Sequence, residues 1–371
     1  MHLKLMIPGP IELEADVLEQ MGAPNHVHYG DDWLAVHTET IALLKQVFRT
    51  EGRVFMMPGS GSLALDASVH STFAPGDRVI LGINGHFGHR LYEILTANGV
   101  SVTVVESDPQ HPLDPDAFAR ALDTHLDAAA VAFVHLETST AVLNPARRIA
   151  ALARERGVLC MADAVSSLAG ADMHMDEWGV DLCITGSQKG LGGAAGLGIV
   201  AVGSRAWERI RGQAGACRSW YLDLRRWEWY AENWADWHPF PVTMPTAVIL
   251  GLRAALQSLF HDGFEARLAR YDRLAKQLRD GLAALGMELF VPAAFMSSVL
   301  TAAYCPPGIV SSDLVRYLET QHCIKITGGF GPFKDRVVRI GHMGGAINEA
   351  DIDALLAALR QFMTEYRPEM T

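Results

Sequence analysis

The chain reads as an α/β protein, with a large domain on a mostly parallel, covered sheet and a smaller α+β domain after it. Between Val54 and Val202, apolar runs of strand length alternate with helical stretches, as in parallel sheets with helices on both faces. Three runs, Val158 to Ala162, Val180 to Thr185 and Gly198 to Val202, lack polar alternation, which suits strands buried on both faces. Periodicity by itself leaves buried helix open for them. At 371 residues the chain has the length of two domains and ample material for a core. The expected divisions are an N-terminal arm over 1–15, a large domain over 16–255 and a small domain over 256–371.

Taken in order, Met6 to Pro10 is extended, because Pro8 and Pro10 lack N–H donors and restrict the residues before them. A helix follows from about Glu14 to Met21. The next, Trp33 to Arg49, has Leu34, His37, Ile41, Leu44 and Phe48 along its apolar face. Val54 to Met57 is a strand, and Pro58-Gly59-Ser60-Gly61-Ser62 turns into a helix over Leu63 to Phe73. Strands at Arg78 to Gly82, Ser101 to Val105 and Ala129 to Leu136 are joined through a helix at Asp116 to Leu122, and Arg147 to Arg156 is helical. Beyond Val202 the character changes. Trp220 to Trp237 packs Tyr221, Trp227, Trp229, Tyr230, Trp234 and Trp237 among acidic and basic residues. Those charges nearly cancel, which disfavours a nucleic-acid stacking surface and favours an interface with a second copy. A helix at Ala247 to Phe260 leads to a long one at Gly263 to Leu285, the bridge into the small domain. That domain reads as a strand at Val299 to Ala303, a helix at Ser311 to Gln321, a short strand at Ile324 to Ile326, a glycine-rich loop at Gly328 to Pro332, a strand from Arg336 and a closing helix at Asn348 to Tyr366.

Composition narrows the class. A hydrophobic share of 49% and a charged share of 20% are ordinary for a globular protein. The net charge of −11, with no basic cluster, argues against nucleic-acid binding. Cys160, Cys183, Cys217, Cys305 and Cys323 form no Cys-x-x-Cys pair and are odd in number, so a reducing, cytoplasmic setting is expected. The N-terminal stretch, broken at Pro8-Gly9-Pro10, is not expected to be a signal peptide. No run reaches the roughly 18 apolar residues of a membrane span.

The chemistry concentrates between residues 159 and 202. One apolar run ends on Asp163; the next opens onto Gly186-Ser187-Gln188-Lys189, with Gly196-x-Gly198 after it. Taken singly, Asp163 is more commonly a helix N-cap and Lys189 a surface residue. A carboxylate and an amine at the ends of neighbouring buried strands are expensive unless something pairs with them. Pyridoxal phosphate pairs with both: its aldehyde takes a lysine amine, and its pyridine nitrogen takes a carboxylate.

Asp163-Ala164-Val165-Ser166-Ser167 followed by Gly186-Ser187-Gln188-Lys189 resembles the class V aminotransferases, and within them the alanine/serine–glyoxylate branch. The resemblance runs from Pro8 to Gly344 and implies the fold-type-I architecture of pyridoxal-phosphate enzymes, with a seven-stranded, mostly parallel sheet. It departs at Gly193-Ala194-Ala195-Gly196, where relatives often have Pro-Pro-Gly, which implies a reshaped loop behind the lysine. It makes Lys189 the Schiff-base lysine, Asp163 the partner of the ring nitrogen, and Gln188 a further cofactor contact. Ser60, Gly61 and Ser62 resemble the cofactor-phosphate turn, where a helix N-terminus presents N–H groups and the positive dipole end; a plain helix cap reads the same way. Phe87 stands where the family has an aromatic against the ring, often Trp, although a lone Phe is more commonly core. Thr138 resembles the residue that bonds the ring hydroxyl, and capping the helix after Asn144-Pro145 is its equal alternative. Gly9 belongs to the arm near the substrate, or to a simple turn. Thr243 matches a hydroxyl that reaches the partner subunit's cofactor in a homodimer, and Phe240 occupies a place where some relatives have Tyr. Arg339, within Arg-Ile-Gly-His-Met-Gly, resembles the arginine that takes the substrate carboxylate in a two-bond fork, with Arg336 as its exposed counterpart.

The implied reaction is ping-pong transfer of an amino group from a small amino acid, alanine or serine, to a 2-oxo acid, glyoxylate or pyruvate. The same fold admits pyridoxamine–pyruvate aminotransferase, against which the full Gly-Ser-Gly-Ser turn and Thr243 argue. Aminoethylphosphonate transaminase is disfavoured by Gln188, since its lysine usually follows Asn. A desulfurase-like lyase is disfavoured by the same residue and by the cysteine positions, and a non-catalytic binding module by the intact Asp163, Lys189 and Arg339. The side-chain pocket is expected around residues 25–32 and 294–298.

Overall fold

A computed structural model describes residues 2–213 and 218–365; Cys217 and Tyr366 lie outside them. Seven strands form the main sheet: β1 (Arg53–Pro58), β2 (Arg78–Ile83), β3 (Ser101–Glu106), β4 (Ala128–Val134), β5 (Leu159–Asp163), β6 (Leu182–Gly186) and β7 (Leu197–Val202). Their order across the sheet is β1-β7-β6-β5-β4-β2-β3. Only β7 runs against its neighbours; the pairs β6–β5, β5–β4, β4–β2 and β2–β3 are parallel. Strands β5, β6 and β7 are buried along their whole length, which is why their sequences show no alternation.

Helices cover the sheet, among them α1 (Ala15–Met21), α2 (Asp31–Phe48), α3 (Gly61–Thr72) and α4 (His86–Ala97). Local chemistry sets several starts. The Ser60 hydroxyl caps α3 by accepting from the Leu63 amide at 3.4 Å. Asp114, followed by Pro115, caps the helix Pro115–Thr124, and Asp223 caps Leu224–Asn233. Trp33, Phe118 and Phe133 fill the core between helices and sheet without exposure.

A second sheet has three antiparallel strands, β8 (Leu300–Tyr304), β9 (Thr327–Gly328) and β10 (Val337–Gly341), in the order β8-β10-β9. The helices Phe264–Ala284, Ser311–His322 and Glu349–Glu365 bury Leu278, Leu318, Leu355 and Phe362 against Ile340 and its neighbours. Among the described residues no helix is long and apolar enough to cross a membrane.

The expected elements appear with ends shifted by a residue or two; the helices His86–Ala97, Ser204–Gly212 and Leu224–Asn233 were not expected, and three further differences stand out. The buried face of α2 is Trp33, Val36, Thr40, Leu44, Val47 and Phe48; Leu44 and Phe48 lie on it as expected, whereas Leu34, His37 and Ile41 are half-buried, so the face is turned partly from the expected one. The strand expected over Ala129 to Leu136 breaks after Val134. The His135 amide makes the last bond of the β4–β5 ladder, to the Asp163 carbonyl at 2.8 Å, and Leu136–Glu137 then pairs with Val142–Leu143 in a hairpin. Finally, Lys4–Leu5 is a strand, parallel to Ile324–Lys325.

That strand ties the N-terminal segment to the second sheet. The Met6 amide donates to the Lys325 carbonyl at 2.9 Å, and Gly341 donates to the Met6 carbonyl at 3.0 Å. A Cβ on Gly341 would stand 2.0 Å from the Ile7 carbonyl oxygen, a backbone atom with no rotamer by which to yield. Gly341→Ala is therefore expected to lift residues 6–9 off β10. Hydrogen exchange followed by mass spectrometry checks this: amides of residues 4–11 should lose protection, and protection equal to wild type contradicts it.

Candidate active site

A cavity of about 290 Å³ opens where β1, β2, β5 and β6 end, the edge at which open α/β sheets bind ligands. Asp163 is the last residue of β5, 5% exposed, and its Oδ1 accepts from the Val165 amide at 2.9 Å. Burial pushes its carboxyl up to about 6; the Val165 amide opposes this, Glu137 adds to it, and Lys189 and Arg90 work against it.

Lys189 follows the end of β6. Gly190 lets the chain pass under the helix-like turn after Asp163, since a Cβ there would lie 2.3 Å from the Leu168 carbonyl oxygen. The Lys189 amine donates to the Pro8 carbonyl. Burial lowers the amine to about 8, helped by the cations of Arg339 and Arg90 and opposed by Asp163. Gly9 lies directly on this side chain: its φ is +115°, and a Cβ would stand 2.7 Å from Nζ.

Ser60, Gly61 and Ser62 line one end of the cavity at the start of α3, whose first-turn amides lack intrahelical partners. The turn is held tightly. A Cβ on Gly198 would meet the Ser60 carbonyl oxygen at 2.4 Å, and the Gly59 amide donates to the Gly196 carbonyl at 2.8 Å. The 193–196 loop, where the family pattern is departed from, thus braces the Ser60 turn from behind. Gln188 also lines the cavity, and its buried Oε1 has no partner in the protein. Such an orphaned atom costs roughly 1–3 kcal/mol unless a guest satisfies it.

Phe87 forms a wall near the start of α4. The residue that fixes it, Glu137, is wholly buried. One oxygen of its carboxylate accepts from the Phe87 and Gly88 amides at 3.0 and 3.1 Å, and the other from the Ser139 amide at 3.0 Å and the Ser139 hydroxyl. Burial raises this carboxyl, and those four donors resist the rise. Gly85 leaves room for it: a Cβ would lie 2.5 Å from the Glu137 carboxyl carbon. Arg90 lines the cavity too, with its guanidinium 4.9 Å from the Phe87 ring centre. Neither Glu137 nor Arg90 is among the sequence-derived candidates. Their available signals were an acid at the end of a buried strand and an arginine one helical turn after Phe87.

Arg339, in the middle of β10, is 6% exposed. Its Nε donates to the Gly328 carbonyl at 2.9 Å and Nη1 to the Thr138 carbonyl at 2.7 Å. Burial lowers the guanidinium to about 10, with Glu137 pulling it back. Among the described residues no carboxylate lies within ion-pair distance of it, whereas Arg336 is exposed. Thr138 stands in the hairpin after Leu136–Glu137 and does not cap the helix Ala146–Glu155, whose N-cap is Pro145. Thr243 is exposed and outside this chain's cavity. Phe240 is buried against His28, His37 and His238. Trp220, Trp229, Trp234 and Trp237 are exposed, while Trp227 is buried. The structure thus gathers Ser60, Gly61, Ser62, Phe87, Asp163, Gln188 and Lys189 around one cavity, brings Arg339 and Gly9 beside it, and leaves Thr243 outside.

The aminotransferase class-V family profile matches residues 28–355. The chain is 30% identical to serine–glyoxylate aminotransferase of Arabidopsis thaliana, covering 97% of this chain and 90% of that one. Among solved structures it is similar to alanine–glyoxylate aminotransferase from Nostoc, with a TM-score of 0.93 and 31% identity over 98% and 96% of the two chains. It is also similar to pyridoxamine–pyruvate aminotransferase from Mesorhizobium loti, with a TM-score of 0.92 and 26% identity over 98% and 93%. The chain belongs to the class V aminotransferases, and it is a pyridoxal-phosphate-dependent transaminase of fold type I.

The cavity fits that cofactor. It supplies an anion-attracting helix start, an aromatic wall, a buried carboxylate, a buried amine and an amide oxygen without a partner. Because the neutral amine is the nucleophile, capture of pyridoxal phosphate by the apoprotein should accelerate as pH rises through about 8, where Lys189 loses its proton. Stopped-flow absorbance checks this, and a midpoint near the ordinary 10.5 of lysine contradicts it.

Proposed function

We propose that this class V aminotransferase moves the amino group of a small 2-amino acid, alanine or serine, to glyoxylate or pyruvate in two half-reactions. The observation that carries the reading is Arg339, a buried guanidinium with two donors fixed on backbone carbonyls and no acid partner among the described residues. A buried charge left unpaired is costly, and an incoming carboxylate relieves it while being oriented by the fork.

When bound, the cofactor supplies an electron-withdrawing ring that stabilises charge left at the substrate Cα. Asp163, which loses its own proton above about pH 6, would hold the proton on the ring nitrogen. Lys189 would take and return the proton at the substrate Cα, and an amine near 8 is matched to that exchange close to neutral pH. The Pro8 carbonyl orients the amine, and the close pass of Gly9 keeps water from it. Phe87 and the start of α3 set the ring and its anionic end.

The active form is proposed to be a homodimer, with Thr243 completing the partner's phosphate site. The exposed Thr243 and the exposed tryptophans at 220, 229, 234 and 237 support this. Cys160, Cys183 and Cys305 are free thiols, which suits the reducing cytoplasm expected from composition. Pyridoxamine–pyruvate transfer is the second reading, favoured by Phe240, which brings no hydroxyl to the phosphate.

Arg339→Lys separates the two. A single ammonium replaces the fork, at a cost of about 1.5–3 kcal/mol for the charge-assisted bonds, or roughly ten- to a hundredfold in KM for alanine. The KM of pyridoxamine, which has no carboxylate, should not move. Steady-state kinetics, with glyoxylate as acceptor for alanine and pyruvate for pyridoxamine, check this, and an unchanged KM for alanine contradicts the role given to Arg339.

A further inference from the structure

The loop between β9 and β10 carries Phe330 from the second sheet to the start of α4 on the first. Its ring stacks on His86, with centres 4.8 Å apart and planes 13° from parallel, and meets Phe87 edge-on at 6.3 Å. The Arg339 guanidinium carbon lies 4.6 Å from the centre of the same ring. The loop has little freedom to retract. Arg339 Nε holds the Gly328 carbonyl, and Gly329 passes so close to Phe333 that a Cβ would stand 2.5 Å from its carbonyl oxygen. Gly331 reverses the chain with a φ of +51°. The Phe330 ring therefore touches both the Arg339 guanidinium and Phe87, held by contacts from both sheets.

We propose that Phe330 is a specificity-determining residue that limits the amino donor to small side chains. The inference rests on the reading of Arg339 as the carboxylate site. A donor with its carboxylate on Arg339 places its substituent beside the Phe330 ring, which touches both that guanidinium and Phe87 of the cavity wall. A methyl or hydroxymethyl group is accommodated there, whereas a longer substituent meets the ring. Displacing that ring gives up its stack on His86 and its contact with the guanidinium, which also shields one side of Arg339 from water.

The test compares kcat/KM of the holoenzyme for alanine, serine, methionine and phenylalanine, with glyoxylate as acceptor, in wild type, Phe330→Ala and Phe330→Leu. Phe330→Ala should raise the methionine-to-alanine and phenylalanine-to-alanine ratios by about tenfold or more, the discrimination typical of one or a few methylenes in an apolar pocket. Phe330→Leu, which keeps an apolar side chain and is the milder change for folding, should raise them less. Ratios that stay at the wild-type value, or four donors that fall in parallel while the visible spectrum is intact, overturn the assignment and leave Phe330 a structural residue. A wild-type enzyme that turns over alanine with those ratios unmoved refutes Phe330 alone. A wild-type enzyme that turns over none of the four refutes the amino-acid reading, and the role of Phe330 with it.

Discussion

A carboxylate and an amine share one buried cavity, and the surrounding architecture answers to that constraint. Asp163 and Lys189 are each shifted against their charged forms by burial, on the order of 3 kcal/mol apiece. Fully buried hydrophobic residues at both sites would fold more readily, so the pair is a cost the chain carries for chemistry. The main sheet meets it by placing β5 and β6 side by side, with the chain passing closely at Gly190, so that both groups reach the same opening. What relieves the shift is a guest that pairs with both.

Around that pair, the site is assembled from elements distant in sequence through backbone contacts that tolerate no side chain. Gly198 admits the Ser60 turn, Gly85 admits the Glu137 carboxylate, and Gly341 admits the N-terminal segment whose Pro8 carbonyl receives Lys189. Glu137 is the least obvious part of this assembly. It spends a buried acid on the amides at the start of α4 and so fixes Phe87. Arg339 then joins the two sheets, bonding the Thr138 carbonyl on one side and the Gly328 carbonyl on the other. The proposed carboxylate site thereby also ties the Thr138 hairpin to the second sheet.

Much of this was legible in the sequence because its signals are local. Buried strands betray themselves by unbroken apolar runs, and Asp163, Lys189, Ser60, Gly61, Ser62 and Phe87 each sit just past one. Thr138 and Glu137 were harder. The strand expected to run through Leu136 ends at Val134, and Leu136–Glu137 turns to pair with Val142–Leu143. Glu137 acts on residues fifty positions earlier, and the strand Lys4–Leu5 finds its partner at Ile324–Lys325, near the other end of the chain. No window of local periodicity contains such pairings. The buried face of α2 is turned for a related reason: His37 and Ile41 lie at the edge of the core, where they also line a cavity beside Trp227 and Phe240.

The most direct measurement is an absorbance titration of the purified holoenzyme with alanine, serine and pyridoxamine in turn. With Lys189 and Asp163 acting as described and Arg339 receiving a carboxylate, alanine or serine should bleach the visible band and glyoxylate should restore it. A band that neither amino acid moves, with turnover only from pyridoxamine and pyruvate, would contradict the amino-acid reading while leaving the buried pair in place.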